Sequence, residues 1–388
     1  MLDTTQPSAQ SSAQTGPFTR VGVVSTYPPA RCGIAKFSAS VVNSVARVDP
    51  QLDIGVIRLT CGVDEPISYG PVVMQIDPNN SVGVRAARRH LEACDVAVFQ
   101  HEFGIYGKDE GASIVDLVGG LATPAIVVLH TVLPSPSPTQ RSIIQALATE
   151  STIVALCTSA ERLLVDRYGL QPSSIEVIPH GAHWSPQPVN HQPRRRLITW
   201  GLLGPGKGLE RAIEAVAMLA DLDPPVCYRI VGRTHPVVAA RNGFEYRNLL
   251  ERRVRELGLS EVVEFVDRYV DDDELFDMAR RSDVVVVPYD NNDQISSGVI
   301  TEAIGIGRPV VATRFPYSEE VLGSGAGVVV EHQPDEIASA IRGLLEDPIS
   351  YRRAVRESTR ISEGLNWGLV GRKYSRLIRD LAPTAATA

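Results

Sequence analysis

The chain has 388 residues, of which 44% are hydrophobic and 21% are charged, and its formal net charge is −7 at pH 7. This length is more than one ordinary core uses, so it predicts two domains, and the composition is that of a globular enzyme. The negative charge and the aromatic content of 6% argue against nucleic acid as a partner. The longest apolar runs are strand-sized, which argues against a transmembrane segment and leaves peripheral membrane contact open.

The N-terminal segment and the cysteines indicate the compartment. Residues 1–18 are rich in Gln, Ser, Thr, Ala and Pro and lack the apolar core of a signal peptide, so we expect a disordered leader. The five cysteines are widely spaced and form no C-x-x-C pair, which favours reduced thiols. We therefore expect a cytoplasmic protein, either free or at the inner face of the membrane.

The first part of the chain alternates strand and helix patterns. Strands are predicted at 20–26, 52–59, 72–76, 96–100, 125–129, 152–156 and 175–179, and helices at 35–48, 82–93, 139–148 and 159–168. Such alternation is typical of βαβ units with a parallel sheet. We therefore predict an N-terminal Rossmann-like domain over 19–190.

The periodicity stops at 184–196, a stretch with three prolines and three consecutive arginines that reads as an interdomain linker. Beyond it, strands are predicted at 197–200, 227–231, 262–265, 284–287, 309–313 and 327–330, and helices at 209–220, 246–257, 273–281, 298–306, 335–346 and 350–365. This pattern predicts a second Rossmann-like domain over 191–365. An apolar stripe predicts a final helix within 366–382, which we expect to pack back on the N-terminal domain.

Two strand-to-helix junctions of the second half carry the functional signal. One is Gly201-Leu-Leu-Gly-Pro-Gly-Lys-Gly208, and the other is Gln294-Ile-Ser-Ser-Gly-Val-Ile-Thr-Glu302. Junctions of this kind offer unpaired backbone amides and a positive helix end, which suit phosphate. Lysine occurs at only four positions, so Lys207 inside a glycine-rich turn stands out as a point charge for a phosphate oxygen. Together the junctions predict a nucleoside diphosphate site in the cleft between two facing sheets.

These motifs also carry a resemblance to a known family. With Gly232-Arg-Thr-His-Pro236 and Gln294 to Gly298 in the same order, the chain resembles the retaining, nucleotide-sugar-dependent glycosyltransferases of the GT-B fold, family 4, also called glycosyltransferase group 1. The resemblance runs from about residue 19 to about residue 381. It implies an α/β fold with two facing, doubly wound Rossmann-like domains and an interdomain cleft.

The resemblance assigns a donor site in the second domain. The diphosphate-binding lysine of the family falls on Lys207, and the glutamate that binds the ribose hydroxyls falls on Glu302. The backbone amides that hold the diphosphate fall on four consecutive residues, Ser297, Gly298, Val299 and Ile300. Such amides at a helix start are natural phosphate donors.

The resemblance also assigns residues of the first domain. The glycine of the first loop falls on Gly33, and the histidine that contacts the donor sugar near its reacting centre falls on His130. His101 and Glu102 follow another strand, and we expect them at the acceptor or sugar pocket. The turn Ile178-Pro-His-Gly181 is interpreted as structural.

Two residues depart from the family pattern. The first glutamate of the E-x7-E motif is replaced by Gln294, which can bond sugar hydroxyls but carries no charge. The arginine that often accompanies the lysine is replaced by Leu202, and Arg233, after the next strand, is a candidate for the missing positive charge.

No metal or other cofactor is expected. The acidic run Asp271-Asp-Asp273 opens a helix, where carboxylates suit the positive end, and residues 290–293 are interpreted as a wall of the sugar pocket. The family needs no metal when lysine and the helix end neutralise the diphosphate.

The resemblance implies transfer of a hexose from a UDP- or GDP-sugar, of the UDP-glucose or GDP-mannose type, to an acceptor hydroxyl with retention of anomeric configuration. The acceptor can be a sugar, a glycolipid or a small metabolite, and neither the acceptor nor the oligomeric state is readable from the sequence. Three alternatives stay open. One is a nucleotide-sugar 2-epimerase of the same fold, and another is a phosphorylase, whose pyridoxal-dependent form is disfavoured by the presence of only four lysines. The third is a non-catalytic nucleotide-sugar-binding protein, which Gln294 alone favours.

Overall fold

A computed structural model of the chain describes residues 18–60, 70–107, 109–185, 195–290 and 295–383. The predicted leader up to residue 17, most of the predicted linker (186–194) and Gln294 lie outside these described residues. The predicted α/β architecture of two parallel sheets flanked by helices is confirmed.

The first sheet has seven parallel strands in the order β3-β2-β1-β4-β5-β6-β7. Its strands are β1 (Thr19–Ser25), β2 (Leu52–Leu59), β3 (Val72–Ile76), β4 (Val96–His101), β5 (Ala125–Leu129), β6 (Thr152–Ala155) and β7 (Ile175–Val177). Its helices are α1 (Gly33–Val48), α2 (Ser81–Leu91), α3 (Ser113–Val118), α4 (Pro138–Glu150) and α5 (Thr158–Tyr168). Strands β4 and β5 are buried along their whole length, as expected for central strands covered on both faces.

The second sheet has six parallel strands in the order β10-β9-β8-β11-β12-β13. Its strands are β8 (Arg196–Trp200), β9 (Cys227–Val231), β10 (Val263–Val266), β11 (Val284–Val287), β12 (Val310–Thr313) and β13 (Gly327–Val330). The helices that follow are α6 (Leu209–Ala217), α7 (Pro236–Asn242), α8 (Glu245–Glu256), α9 (Asp272–Arg280), α10 (Gly298–Gly305), α11 (Pro316–Leu322), α12 (Pro334–Glu346), α13 (Pro348–Leu365) and α14 (Trp367–Leu381).

The strand order reverses once in each sheet, between β1 and β4 in the first and between β8 and β11 in the second. In open parallel sheets, ligands bind outside the carboxyl ends of the strands at such a reversal. The loop after β8 holds the glycine-rich turn, and the loop after β11 leads into α10. The glycine-rich turn and the start of α10, the two junctions predicted to bind phosphate, therefore lie at the reversal of the second sheet.

The final helix α14 packs on α1 of the first sheet. Arg379 makes a bidentate ion pair with Asp49, with N–O distances of 2.9 and 2.8 Å, and also donates to the hydroxyl of Thr19. Gly371 lies against the backbone of Ser44, a close approach that a larger residue would obstruct. The chain thus returns to its first domain after completing the second.

Polar contacts between described residues join the two domains, and those made by Lys36 and Glu320 are examples. Lys36 Nζ on α1 lies 2.7 Å from Asp272 Oδ1 on α9. The carboxylate of Glu320 accepts the first amides of α5, from Thr158 (2.9 Å) and Ser159 (2.6 Å), where the helix end is positive. Within the described parts of the chain, no helix is both long and apolar enough to cross a bilayer.

Candidate functional site

The glycine-rich turn is fixed by its backbone. Gly208 has a left-handed φ of 60°, and a Cβ at this position would overlap the carbonyl oxygen of Pro288. Only glycine permits this close approach. The amide of Asp290 donates to the carbonyl of Gly206 (3.0 Å), so the turn is tied to the chain that leaves β11.

Lys207 is presented by this turn at the reversal of the sheet. Its side chain is half-buried, and its Nζ lies 4.1 Å from the centroid of the Tyr289 ring. A cation on an aromatic face is held in place without a carboxylate that would neutralise it. Among the described residues no carboxylate is paired with Lys207, so none of them neutralises its charge toward an anionic ligand.

The start of α10 offers fewer amides than the sequence predicts. The hydroxyl of Ser297 caps the helix and accepts the amide of Ile300 (3.3 Å), so the expected diphosphate contact of Ile300 is not free in this structure. Helix geometry leaves the amides of Ser297, Gly298 and Val299 without an intrahelical acceptor. These three amides are the open donors at this helix end.

Glu302 lies one turn further along α10, and its residue is only 8% exposed. Its Oε2 accepts the amide of His183 (2.9 Å), and Lys36 lies close enough to favour its ionised form. Burial outweighs both effects and raises the pKa of Glu302 to about 7. A buried carboxylate of this kind can accept hydrogen bonds from two neighbouring hydroxyl groups.

Arg233 follows β9 and is exposed, with its guanidinium carbon 5.6 Å from the centroid of the Tyr269 ring. Arg31, from the loop before α1, lies on the same ring at 4.5 Å. Two cations from different domains thus converge on Tyr269.

Burial lowers the pKa of His235, and the nearby charge of Lys207 lowers it further.

His130 follows β5 and is half-buried at the domain boundary. Its Nε2 lies 2.9 Å from Oε1 of Gln100, and its ring packs edge-on against Phe37 at 4.7 Å. Its carbonyl accepts the hydroxyl of Ser296, which belongs to the loop before α10 (3.2 Å). Burial, with smaller contributions from His180 and His101, lowers the pKa of His130 to about 3, so the ring is neutral.

His180 is the residue that sequence reasoning missed. It was assigned to a structural turn, yet its Nε2 lies 3.5 Å from the position that a Cβ on Gly298 would occupy. Its Nδ1 donates to the carbonyl of Gly181 (2.7 Å), and its ring packs against Phe37 at 4.8 Å. Phe37 thus contacts both imidazoles, the His180 ring borders the start of α10, and His130 contacts the preceding loop through its carbonyl.

His101 and Glu102 were both predicted to lie at the acceptor or sugar pocket, and the structure differs for His101. His101 is 0% exposed and packs against Phe103 and Tyr106, so its ring does not reach the cleft. The cause is that β4 continues through His101, one residue beyond the predicted strand. Glu102 accepts the hydroxyl of Thr131, next to His130, and burial raises the pKa of its carboxyl group.

Gly33 is exposed as the first residue of α1, and a Cβ there would meet no atom within 4 Å. The start of α1 is thus unobstructed, as a helix end that binds a ligand requires. The structure places Gly33, His130 and the His180 ring on the first-domain side, and Lys207, Gly298 and Glu302 on the second.

The acidic residues have local partners. Asp271 caps α9 by accepting the amide of Glu274 (2.9 Å), which confirms the predicted helix cap. Asp290 forms an ion pair with Arg211, while 291–293 lie outside the described residues. Among the residues that the structure describes, no three His, Cys, Asp or Glu side chains are grouped as metal ligands would be.

Comparison with known proteins shows that the second domain is similar to one family. Residues 183–361 match the family described as glycosyl transferases group 1. Among curated proteins, the chain is 29% identical over 279 residues to a D-inositol 3-phosphate glycosyltransferase of Kineococcus radiotolerans, covering 64% of this chain and 62% of that protein. A protein of the same name from Geodermatophilus obscurus is 32% identical over 228 residues, covering 54% and 49%. The chain therefore spans about half to three-fifths of these relatives.

Solved structures share the whole fold. HepE of Anabaena, solved with UDP, superposes with a TM-score of 0.71 at 15% identity, covering 94% of this chain and all of that one. Sucrose-phosphate synthase of Thermosynechococcus elongatus superposes with a TM-score of 0.73 at 17% identity, covering 94% and 99%. The predicted GT-B fold is confirmed.

Proposed function

We propose that this chain, whose residues 183–361 match the group 1 glycosyltransferases, transfers a hexose from a nucleotide diphosphate sugar to an acceptor hydroxyl with retention of anomeric configuration. The observation that carries this proposal is the convergence of Lys207 and the open amides of Gly298 and Val299 at the reversal of the second sheet. Each supplies positive charge or a donor where a diphosphate would lie.

The departing diphosphate is the group that needs help. When the sugar–phosphate bond breaks, negative charge develops on the leaving oxygen, and the sugar becomes oxocarbenium-like. Preorganised donors aimed at the developing charge lower the barrier. We assign this role to Lys207 and the start of α10, and contact with the ribose hydroxyls to Glu302. Gln294, outside the described residues, keeps its assigned contact with the sugar as a proposal.

On the opposite side of the cleft, we assign His130 to the donor sugar, near its reacting centre. The support is its place at the end of β5, linked to the loop before α10 through Ser296. Its neutral ring adds no charge beside a cationic transition state. Glu102 is proposed for the acceptor pocket, and Arg233 for the charge missing at Leu202.

We propose the donor and the acceptor from the names of similar proteins. A second HepE structure is described as a complex with UDP-glucose, which supports a UDP-sugar donor, and a GDP-sugar is the other candidate. The relatives named for D-inositol 3-phosphate support a polyol phosphate as acceptor. We propose that no metal or cofactor is needed. The free thiols among the described cysteines (Cys32, Cys94, Cys157 and Cys227) support a reducing, cytoplasmic compartment.

A thermal-shift screen with UDP, GDP, their glucose and mannose conjugates, and ATP as a control tests the donor site. A ligand at one hundred times its Kd stabilises the folded protein by about 2.7 kcal/mol. We expect one uridine or guanosine diphosphate series to raise Tm and ATP to leave it unchanged. A flat response to every nucleotide would contradict the proposal.

A further inference from the structure

A fully buried glutamine lies beside His130. Gln100 on β4 is 0% exposed, and its Oε1 lies 2.9 Å from Nε2 of His130. The amide nitrogen of Gln100 is buried and has no hydrogen-bond partner among the described residues, and the amide oxygen faces the imidazole. Because an amide oxygen can only accept a hydrogen bond, this orientation gives His130 its proton on Nε2. A neutral imidazole has one N–H, and Nδ1 is therefore left with a lone pair.

The second ring nitrogen of His130 is accessible. Nδ1 has no hydrogen-bond partner within the described residues, and it is absent from their buried unpaired atoms. His130 Nδ1 is therefore not fully buried, and the Ser296 contact brings the loop before α10 close to this residue. A lone pair in this position is an acceptor for a hydroxyl group.

The surroundings hold both side chains in place. The hydroxyl of Tyr106 donates to the carbonyl of Gln100 (2.9 Å), and the amide of His130 donates to the carbonyl of His101 (3.0 Å). Phe37 packs edge-on against the imidazole at 4.7 Å. The Phe37 contact and the backbone bond of His130 hold the imidazole with Nε2 toward Gln100, while the Tyr106 bond anchors only the β4 backbone.

We propose that Gln100 is a positioning residue that holds His130 as the Nε2–H tautomer, so that Nδ1 accepts a hydrogen bond from a hydroxyl of the donor sugar. The sugar contact rests on the proposed function. The tautomer does not, because it follows from the buried pair alone. A donor lacking the facing hydroxyl would leave the His130 lone pair unpaired.

The titratable groups around this pair are few. His101 lies on β4, His180 lies across Phe37, Glu102 follows β4, and Lys36 on α1 faces His180. Apart from burial, which has the largest effect, His180 and His101 are the groups that lower the pKa of His130. A carboxylate introduced at position 100 would therefore be the dominant new charge on His130.

The tautomer is measured directly by long-range ¹H–¹⁵N correlation spectra of the full-length protein with ¹⁵N-labelled histidine, without ligand. The His130→Gln variant assigns the signal. We expect Nε2 protonated and Nδ1 unprotonated at neutral pH, and a mixture of tautomers in Gln100→Leu. A protonated Nδ1 in the wild type, which the opposite orientation of the Gln100 amide would give, overturns the proposal. An unchanged tautomer in Gln100→Leu overturns it as well.

Kinetics supplies a readout that a structural role would not move. In Gln100→Glu, the carboxylate should favour the imidazolium form, whose Nδ1 donates and cannot accept. We expect kcat at neutral pH to fall roughly tenfold, the scale of one lost hydrogen bond, with little change in KM for the nucleotide sugar. The rate should recover as pH rises and His130 loses its proton.

The matched control is Tyr106→Phe, which removes a buried hydrogen bond to the same glutamine but leaves the side-chain amide in place. It should keep the wild-type tautomer and pH profile. An equal fall of kcat in both variants, with no change in pH profile, would make Gln100 a packing residue. The predicted tautomer in a protein that transfers no sugar would contradict the proposed function and leave the Gln100 role standing.

Discussion

The amide of His183 donates to the carboxylate of Glu302 over 2.9 Å, and this bond ties the segment that crosses between the domains to the helix of the proposed donor site. Glu302 is buried at this point, and its pKa is raised to about 7. The carboxylate thus combines a proposed contact with the ribose and an unfavourable buried charge. The two properties can be separated in one variant.

Glu302→Gln should weaken nucleotide binding and stabilise the folded protein at alkaline pH. Loss of charged hydrogen bonds to the ribose costs roughly 1.5–3 kcal/mol of binding free energy. Folding raises the pKa of Glu302 from 4.5 to about 7. The native state therefore loses stability as pH rises through this range, because the carboxyl group ionises more readily in the unfolded chain. Relative to the variant, the wild type should lose up to about 3 kcal/mol between pH 4.5 and 8. Calorimetry with UDP and GDP, and Tm at pH 5 and 8, measure both effects.

Glu346→Gln, on the exposed side of α12, is the control for loss of a carboxylate. It should alter neither nucleotide affinity nor the pH dependence of Tm. Equal nucleotide affinity in Glu302→Gln and the wild type would rule out the ribose contact. Parallel Tm profiles of those two proteins would rule out the buried charge.

Lys207→Ala should lower kcat/KM, because it removes one electrostatic donor to the leaving group. The corresponding loss of transition-state stabilisation is about 2–4 kcal/mol. The lysine is held on the Tyr289 ring and is half-buried, so its charge is not interchangeable with that of a surface residue. Lys373→Ala, exposed on α14, is the matched control. Steady-state rates that are the same for both variants would remove Lys207 from the site.

Local sequence patterns predict many of the strands, helices and turns of this fold. The turn at Gly208 and the helix start at Gly298 were predictable because each depends on residues within one strand-to-helix junction. The short helices α3, α7 and α11 were not predicted, since a few turns of helix owe their stability to tertiary packing more than to periodicity.

The two misplaced histidines show where local reasoning ends. His101 was expected at the cleft, but one additional residue of strand keeps it in the core. His180 was assigned to a turn because nothing in its neighbourhood signals a ligand. Its place beside Gly298 depends on how the two domains meet, which no local pattern encodes.

Transfer should persist in EDTA. The proposed neutralisation of the diphosphate uses Lys207 and backbone amides, and the described carboxylates nearby are engaged as a helix cap at Asp271 and in an ion pair at Asp290. The measurement is the initial rate with and without chelator. Loss of the rate in EDTA and its recovery with Mg²⁺ or Mn²⁺ would show that a metal takes part and would reopen the acidic residues as ligands.

His130→Ala should leave UDP or GDP affinity nearly intact while lowering kcat and kcat/KM together, the pattern of an interaction made mainly in the transition state. The ring touches Gln100 and Phe37, so some loss of Tm is expected as well. Tm, nucleotide affinity and single-turnover rate are measured on one preparation. If Tm falls while the rate per folded molecule holds, His130 is a packing residue.

The central claim is that this protein moves a sugar from a nucleotide donor to a hydroxyl. The most direct measurement incubates the purified protein with UDP-glucose or GDP-mannose and a panel of polyol phosphates and sugars, and follows nucleoside diphosphate and glycosylated product by mass spectrometry. The account predicts that one donor–acceptor pair yields the two products in equal amounts, with the anomeric configuration of the donor retained by NMR. A donor that binds but is converted only to an epimeric nucleotide sugar, or is never consumed with any acceptor, would contradict it.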